Sequence, residues 1–228
     1  MRMPNVHAET TPRRRGLPPG THGLPRSVVR ASPRDRLLYA VTDAVARKGY
    51  AAVTLTDIVE RASVSRRTFY EHFTDKEECF LAAYDAGAGA LFERVVAAGA
   101  EAVGWVERGR AAIRAYLTAF AEEPAYARAT MVEVLGAGPK ALARRREANR
   151  RYTKLLQELH RQARQELPHL PELPDPIFTA MVAAVDGLVS DYIEQGRTAD
   201  LPTLEDVVLY LELALLADHE TAADAVPD

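Results

Sequence analysis

The chain of 228 residues has a single cysteine, Cys79, which excludes an intramolecular disulfide and any zinc site built from paired cysteines. Its six histidines are scattered. His160 and His169 are separated by a proline, and His7, His22 and His219 fall in expected tails or helix ends. No His-Glu-x-x-His pair and no glycine-rich phosphate cradle occurs, so no catalytic residues, metal or cofactor are expected and the chain does not read as an enzyme. No apolar run approaches the roughly 18 residues of a membrane-spanning helix, and the N-terminus lacks the apolar core of a secretory leader. No membrane association is therefore expected, and a cytoplasmic location fits the lone thiol. Excess positive charge is missing too. With 29 Lys+Arg against 32 Asp+Glu the net charge is −3, whereas a protein that coats nucleic acid without preference would be basic throughout.

That balance hides a division. Residues 1–80 carry 14 Lys+Arg against 9 Asp+Glu, and the remainder carries 15 against 23. One end suits phosphate and the rest does not. The length is compatible with a small and a larger domain or with one large domain. Residues 1–32 are rich in Pro, Gly and Arg, with Arg13-Arg14-Arg15 and little to bury, and read as a disordered arm. A solvated tail and an arm reaching a minor groove are both open readings.

The most informative segment runs from Thr54 to Asp85. Thr54 is placed to cap a helix whose apolar face is Leu55, Ile58, Val59 and Ala62. Ser63-Val64-Ser65 supplies a turn, and Ser65 caps a second helix from Arg66 to about Phe73, anchored by Phe69 and Phe73 four residues apart. The rest of that helix presents Arg66, Arg67, Thr68, Tyr70, Glu71 and His72, a hydrogen-bonding surface of the kind that enters a major groove. A preceding helix from Pro33, with Leu37, Leu38, Val41, Ala44 and Val45 on one face, ends near Gly49. Another begins near Lys76, capped by Thr74 or Asp75.

These residues resemble the DNA-binding domain of the tetracycline-repressor (TetR) family of bacterial transcription regulators. Thr54, Ile58, Ala62, Val64, Ser65, Tyr70, His72, Phe73, Lys76 and Glu77 match its pattern in order and spacing. Ser63, Val59 and Arg67 depart from it, and Ser63 stands where a glycine is usual, at a turn position that often needs positive φ. The resemblance covers roughly residues 34–84. It implies an all-α fold, with a helix-turn-helix domain of three helices over 33–84 and a larger helical effector-binding and dimerisation domain over 85–228. It also implies a repressor that leaves a palindromic operator when an unidentified small molecule binds. The alternative is an all-helical regulator or adaptor answering to a protein partner, which would need no closed cavity.

By position in the motif, Arg66, Arg67 and Thr68 are expected at bases and Thr54, Thr56, Tyr70, His72 and Lys76 at phosphates. A solvated cationic face is the alternative for the arginines, capping for Thr54 and intradomain packing for His72. Cys79 reads as a small buried hydrophobe. Beyond the motif, helices are expected at about 86–103, 105–122, 124–136, 139–167, 175–195 and 203–219, separated by Gly and Pro breaks. The last two are apolar enough to suggest a dimer interface, which the resemblance also implies; internal burial is the alternative. Trp105, Tyr116, Phe120, Met131, Phe178 and Met181, with Tyr126, are candidate pocket lining. Glu133 and Asp186 are polar candidates, and a carboxylate in the run MVAAVDGLV requires a partner if buried.

Overall fold

The computed structural model describes residues 32–217, 221 and 224–226. The expected arm over 1–32 therefore lies almost wholly outside the described residues, as does His219. Among the described residues the chain is helical with no strand.

Helix α1 spans Pro33–Lys48; Ser32 caps it by accepting from the Asp35 N–H, proline occupies its first turn, and Gly49 ends it at φ 78°. Helix α2, Leu55–Ala62, opens with a reciprocal capping box. Thr54 accepts from the Asp57 N–H, and the Asp57 carboxylate accepts from the Thr54 N–H at 2.8 Å. Hydrogen bonds from Lys48 and from Thr54 hold the Asp57 carboxyl down at about 2. Ser63 follows in the left-handed conformation, φ 52° and ψ 50°, as its position in the turn implied. Helix α3 is shorter than expected, Arg66–Tyr70, capped by Ser65. The N–H groups of His72 and Phe73 both bond the Phe69 carbonyl, at 3.0 and 2.9 Å, so the chain turns out of the helix while Phe73 still reaches the core.

Helix α4, Lys76–Glu101, is one uninterrupted element. The separate run expected at 86–103 is its continuation. Gly87 belongs to this packing rather than to a break: a Cβ there would meet the Tyr126 ring at 2.2 Å. The remaining helices are α5 (Trp105–Glu122), α6 (Pro124–Met131), α7 (Pro139–Glu166), α8 (Asp175–Glu194) and α9 (Glu205–Leu216), with 3-10 turns at Glu133–Gly136 and Thr198–Leu204. These two turns replace the ends of the longer helices expected at 124–136 and 203–219.

Two large apolar cores and a smaller one around Phe178, Met181 and Leu216 result among the described residues. The first gathers Leu37, Val41, Val45, Ile58, Phe69 and Phe80, and extends to Val134 and Ala141 from beyond α4. Buried Asp43 pairs with Arg61 across α1 and α2 and with Arg47. Cys79 is fully buried there, its thiol pushed up to about 12 by desolvation, as its reading as a small hydrophobe requires. The second core centres on Leu117, Phe120, Val189, Ile193, Leu209 and Leu213.

Helix α8 corrects the expectation that no segment is long and apolar enough to cross a membrane. By length and composition alone it is, with a mean hydropathy of 1.3, and 22% of that window is buried. Its uncovered face is lined with small residues, Ala180, Ala183, Ala184 and Gly187, and on α9 Val207, Tyr210 and Leu215 are exposed.

Ser63 holds a left-handed backbone that penalises a Cβ, and its hydroxyl is buried without a hydrogen-bond partner. Ser63→Gly is expected to stabilise the protein by about 1 kcal/mol, seen as a higher urea midpoint with unchanged slope.

Candidate DNA-reading surface and effector cavity

Around α3 most of the expected residues share one surface. Arg66 donates to the Thr56 hydroxyl at 2.8 Å, so the two form a single unit bridging α2 and α3. The Arg67 side chain is 89% exposed and held by Glu71 at 3.2 Å, an exposed pair that costs little to break. The Thr68 hydroxyl lies 3.0 Å from Ser65 Oγ, so it takes part in the cap of α3. Tyr70 is 59% exposed, its ring edge-on to Phe69. His72 is exposed rather than packed within the domain. Thr54 is exposed and is also the cap of α2.

Lys76 is engaged elsewhere. Its ammonium donates to the carbonyls of Tyr50 at 2.9 Å and Val53 at 2.8 Å and sits 4.4 Å from the Tyr50 ring centroid. Burial lowers its pKa. Two of its three donors thus tie the loop before α2 to the start of α4, and a phosphate contact is a secondary use at most.

A second feature lies between α4, α5, α7, α8 and α9. It is a cavity of about 90 Å³ walled mostly by aliphatic side chains, with Tyr116, Tyr152, Asp186 and Glu212 as its polar groups beside Asn149. A second chamber of about 40 Å³ adjoins it and shares Gly109, Leu156, Leu159 and Glu212. Of the residues expected to line a pocket, Tyr116 lines the main chamber and Trp105 the second. Phe120, Tyr126 and Met131 line a third hollow of about 30 Å³, together with Tyr116. Phe178 and Met181 are corrections: neither lines any of these three hollows, and both are buried as core with Leu216, behind the wall of the second chamber. Glu133 is another, since its carboxylate accepts from the Tyr50 N–H at 3.3 Å and pairs with Arg128 at 3.2 Å, at the seam with the reading helices.

Asp186 has the partner its burial requires. Arg145 donates to it at 2.5 Å and also to the Met131 carbonyl, joining α7, α8 and the end of α6. Burial raises the Tyr116 and Tyr152 phenols well above their usual range, so both stay protonated, and the Tyr152 hydroxyl is buried without a hydrogen-bond partner among the described residues. Sequence reasoning missed Glu212 and Arg145. Glu212 interrupts the apolar run VVLYLELALL just as Asp186 interrupts its own, and the same logic would have found it. No cation among the described residues lines the main chamber, and desolvation raises the Glu212 carboxyl to about 7.

A model of the family described as bacterial regulatory proteins, tetR family, matches residues 38–83, the stretch that carries α2, the turn, α3 and the start of α4. Over that stretch the chain carries the DNA-binding domain of the tetR family. The transcriptional activator FasR of Mycolicibacterium smegmatis is 35% identical over 74 residues, covering 32% of this chain and 34% of FasR. The chain spans between 14% and 34% of the length of the curated relatives it matches. Among solved structures, the fatty acid degradation regulator FadR of Bacillus halodurans superposes with a TM-score of 0.74 at 20% identity, over 81% of this chain and 96% of that one. FadR of Bacillus subtilis, solved in complex with stearoyl-CoA, gives 0.71 at 20% identity, over 80% and 97%. At these identities the likeness shows the fold alone, a helical arrangement shared over about four fifths of the chain.

Glu212 predicts a pH dependence. Its folded carboxyl titrates near 7 against an ordinary value of 4.5. Below about pH 4.5 both folded and unfolded forms are protonated. Between that value and 7 the unfolded chain ionises first, so stability falls as pH rises through the window. Glu212→Gln is expected to stabilise the protein by about 1–3 kcal/mol at pH 8 and by almost nothing at pH 4, read from thermal melts at both values.

Proposed function

We propose that this chain is a homodimeric, cytoplasmic transcription regulator, a repressor released from a palindromic operator when a small molecule enters the cavity of its second domain. One arrangement carries the reading: an exposed polar face on a helix-turn-helix, joined by the unbroken helix α4 to a domain with a largely apolar cavity. In this reading residues 33–84 are the reading head and 85–228 the sensor. Arg66, Arg67 and Thr68 meet base edges, while Thr54, Thr56, Tyr70 and His72 meet phosphates and set register. The uncovered faces of α8 and α9 become the dimer seam, because an apolar face of this extent on a regulator of palindromic sites is best covered by its own symmetry mate. The cavity favours a small ligand over a protein partner as the signal. The stearoyl-CoA bound by Bacillus subtilis FadR supports ligand sensing on this fold. FasR is called an activator; the sign of regulation depends on where the operator lies.

Release also has a physical route. Asp186 in the cavity wall holds Arg145, Arg145 holds the Met131 carbonyl, and two residues on Glu133 accepts from the Tyr50 N–H beside Gly49. A ligand that displaces Asp186 shifts the end of α6, and with it the loop that Lys76 clamps.

Selection from a random duplex pool should enrich an inverted repeat; a pool bound without enrichment, in a manner that vanishes with salt, would refute the reading. On the selected site Arg67→Ala should cost about 1–3 kcal/mol and relax preference at particular base pairs. Lys76→Ala should instead lower the head's stability by roughly 1–3 kcal/mol and leave the salt slope unchanged. Glu133→Ala should keep ligand affinity within about twofold while cutting the ligand's effect on operator binding about fivefold or more.

A further inference from the structure

The two chambers share Glu212, which among the described residues is the one carboxylate of the main chamber wall without a partner, since Arg145 already satisfies Asp186. Among the described residues no Lys, Arg or His lines the main chamber. The charged groups of the second chamber are Arg108, which donates to the Ala102 carbonyl at 3.3 Å, and Glu166. His160 also lines it, its Nε2 lying 3.1 Å from the Leu216 carbonyl, and burial lowers its pKa, so it is a neutral donor rather than a cation. Tyr116 and Tyr152 also line the main chamber, edge-to-face with centroids 5.6 Å apart. Aromatic faces attract a cation, and a desolvated carboxylate attracts it more strongly still. An anionic head would meet an acid and find no free cation in the main chamber, while a wholly apolar ligand would leave Glu212 buried and unanswered.

From this geometry we propose that the ligand class of the cavity is an apolar molecule carrying one positively charged nitrogen, with Glu212 as the group that holds the charge. This rests on the reading of the cavity as an effector site and adds the chemistry of the effector. Glu212 is thereby a specificity-determining residue: it selects cation over carboxylate, and the aliphatic wall accepts the chain that follows.

Trp105, the only tryptophan, lines the second chamber and reports occupancy without DNA. Three probes of equal chain length, octyltrimethylammonium, octan-1-ol and octanoate, would be titrated at pH 8 against the full-length protein by tryptophan fluorescence. The ammonium is expected to bind about tenfold or more tightly than either of the others. Glu212→Gln, which keeps side-chain size and is expected to stabilise the empty protein, should abolish most of that preference while leaving octanol affinity within about twofold. Octanoate binding as tightly as the ammonium, an unchanged ammonium affinity in Glu212→Gln, or no saturable signal from any probe would each overturn the proposal. The regulator reading fails separately. Ammonium binding that does not alter affinity for the selected operator would leave the ligand class standing and sink effector release, and an octanoate that binds and releases DNA would do the reverse.

Discussion

The structure depends on helix α4 being continuous. At 1.5 Å per residue its 26 residues span about 39 Å, and they contribute Phe80 and Tyr84 to the first core and Leu91 and Val95 to the second. A helix can bend only by giving up backbone hydrogen bonds, so a displacement at one end arrives at the other as a rotation or translation. That makes its first turn decisive. Asp75 caps it through the Glu78 N–H at 2.8 Å, and Lys76 clamps the carbonyls of Tyr50 and Val53 beside it. The loop that aims α2 and α3 is thereby fixed to the lever, and a cation that the motif suggested for DNA is spent on geometry.

Charge is organised to match. The reading surface leaves Arg67 and His72 in water, while the acidic excess of the second domain is largely answered locally. Arg110 and Arg114 converge on Glu205 at the start of α9, and Lys140 and Arg144 of α7 pair with Glu77 and Asp85 of α4. These last two pairs tie the lever to the helix that carries Arg145. Exposed as they are, they contribute little stability; their value is in orientation, because both sit along the same edge of α4.

Much of the head was legible because its signals are local. Thr54, Ser65 and Gly49 are capping residues whose roles follow from the residue itself, and Ser63 takes the left-handed conformation that its place in the turn demands. Three things were not legible, each for a physical reason. The length of α4 was hidden because Gly87 and Gly89 lower helix propensity, and nothing nearby announces that Gly87 is required by the Tyr126 ring, about forty residues away in sequence. The direction of Lys76 was hidden because a flexible cation caps carbonyls as readily as it meets phosphate. Cavity wall and core are indistinguishable by periodicity: Phe178 and Met181 have the same helical spacing as residues that line a chamber, yet they fill space against Leu216.

Glu212 and Asp186 show why the cavity resists sequence reading even when its residues are in plain view. Each is a carboxylate within an apolar helix, and each has the same meaning on paper. In the fold one is answered by Arg145 and becomes part of the frame, whereas the other faces a chamber and is held near neutrality by burial alone. A well-packed leucine at position 212 would be expected to make a more stable empty protein. The carboxylate is therefore a local inconsistency of the kind that concentrates at functional positions, where stability of the empty state is exchanged for the ability to recognise something that enters. Because α9 also presents Val207, Tyr210 and Leu215 outward, a ligand seated on Glu212 presses on the same helix that would meet the second subunit. In the proposed homodimer, occupancy of the cavity and the spacing of the two reading heads would be mechanically one variable.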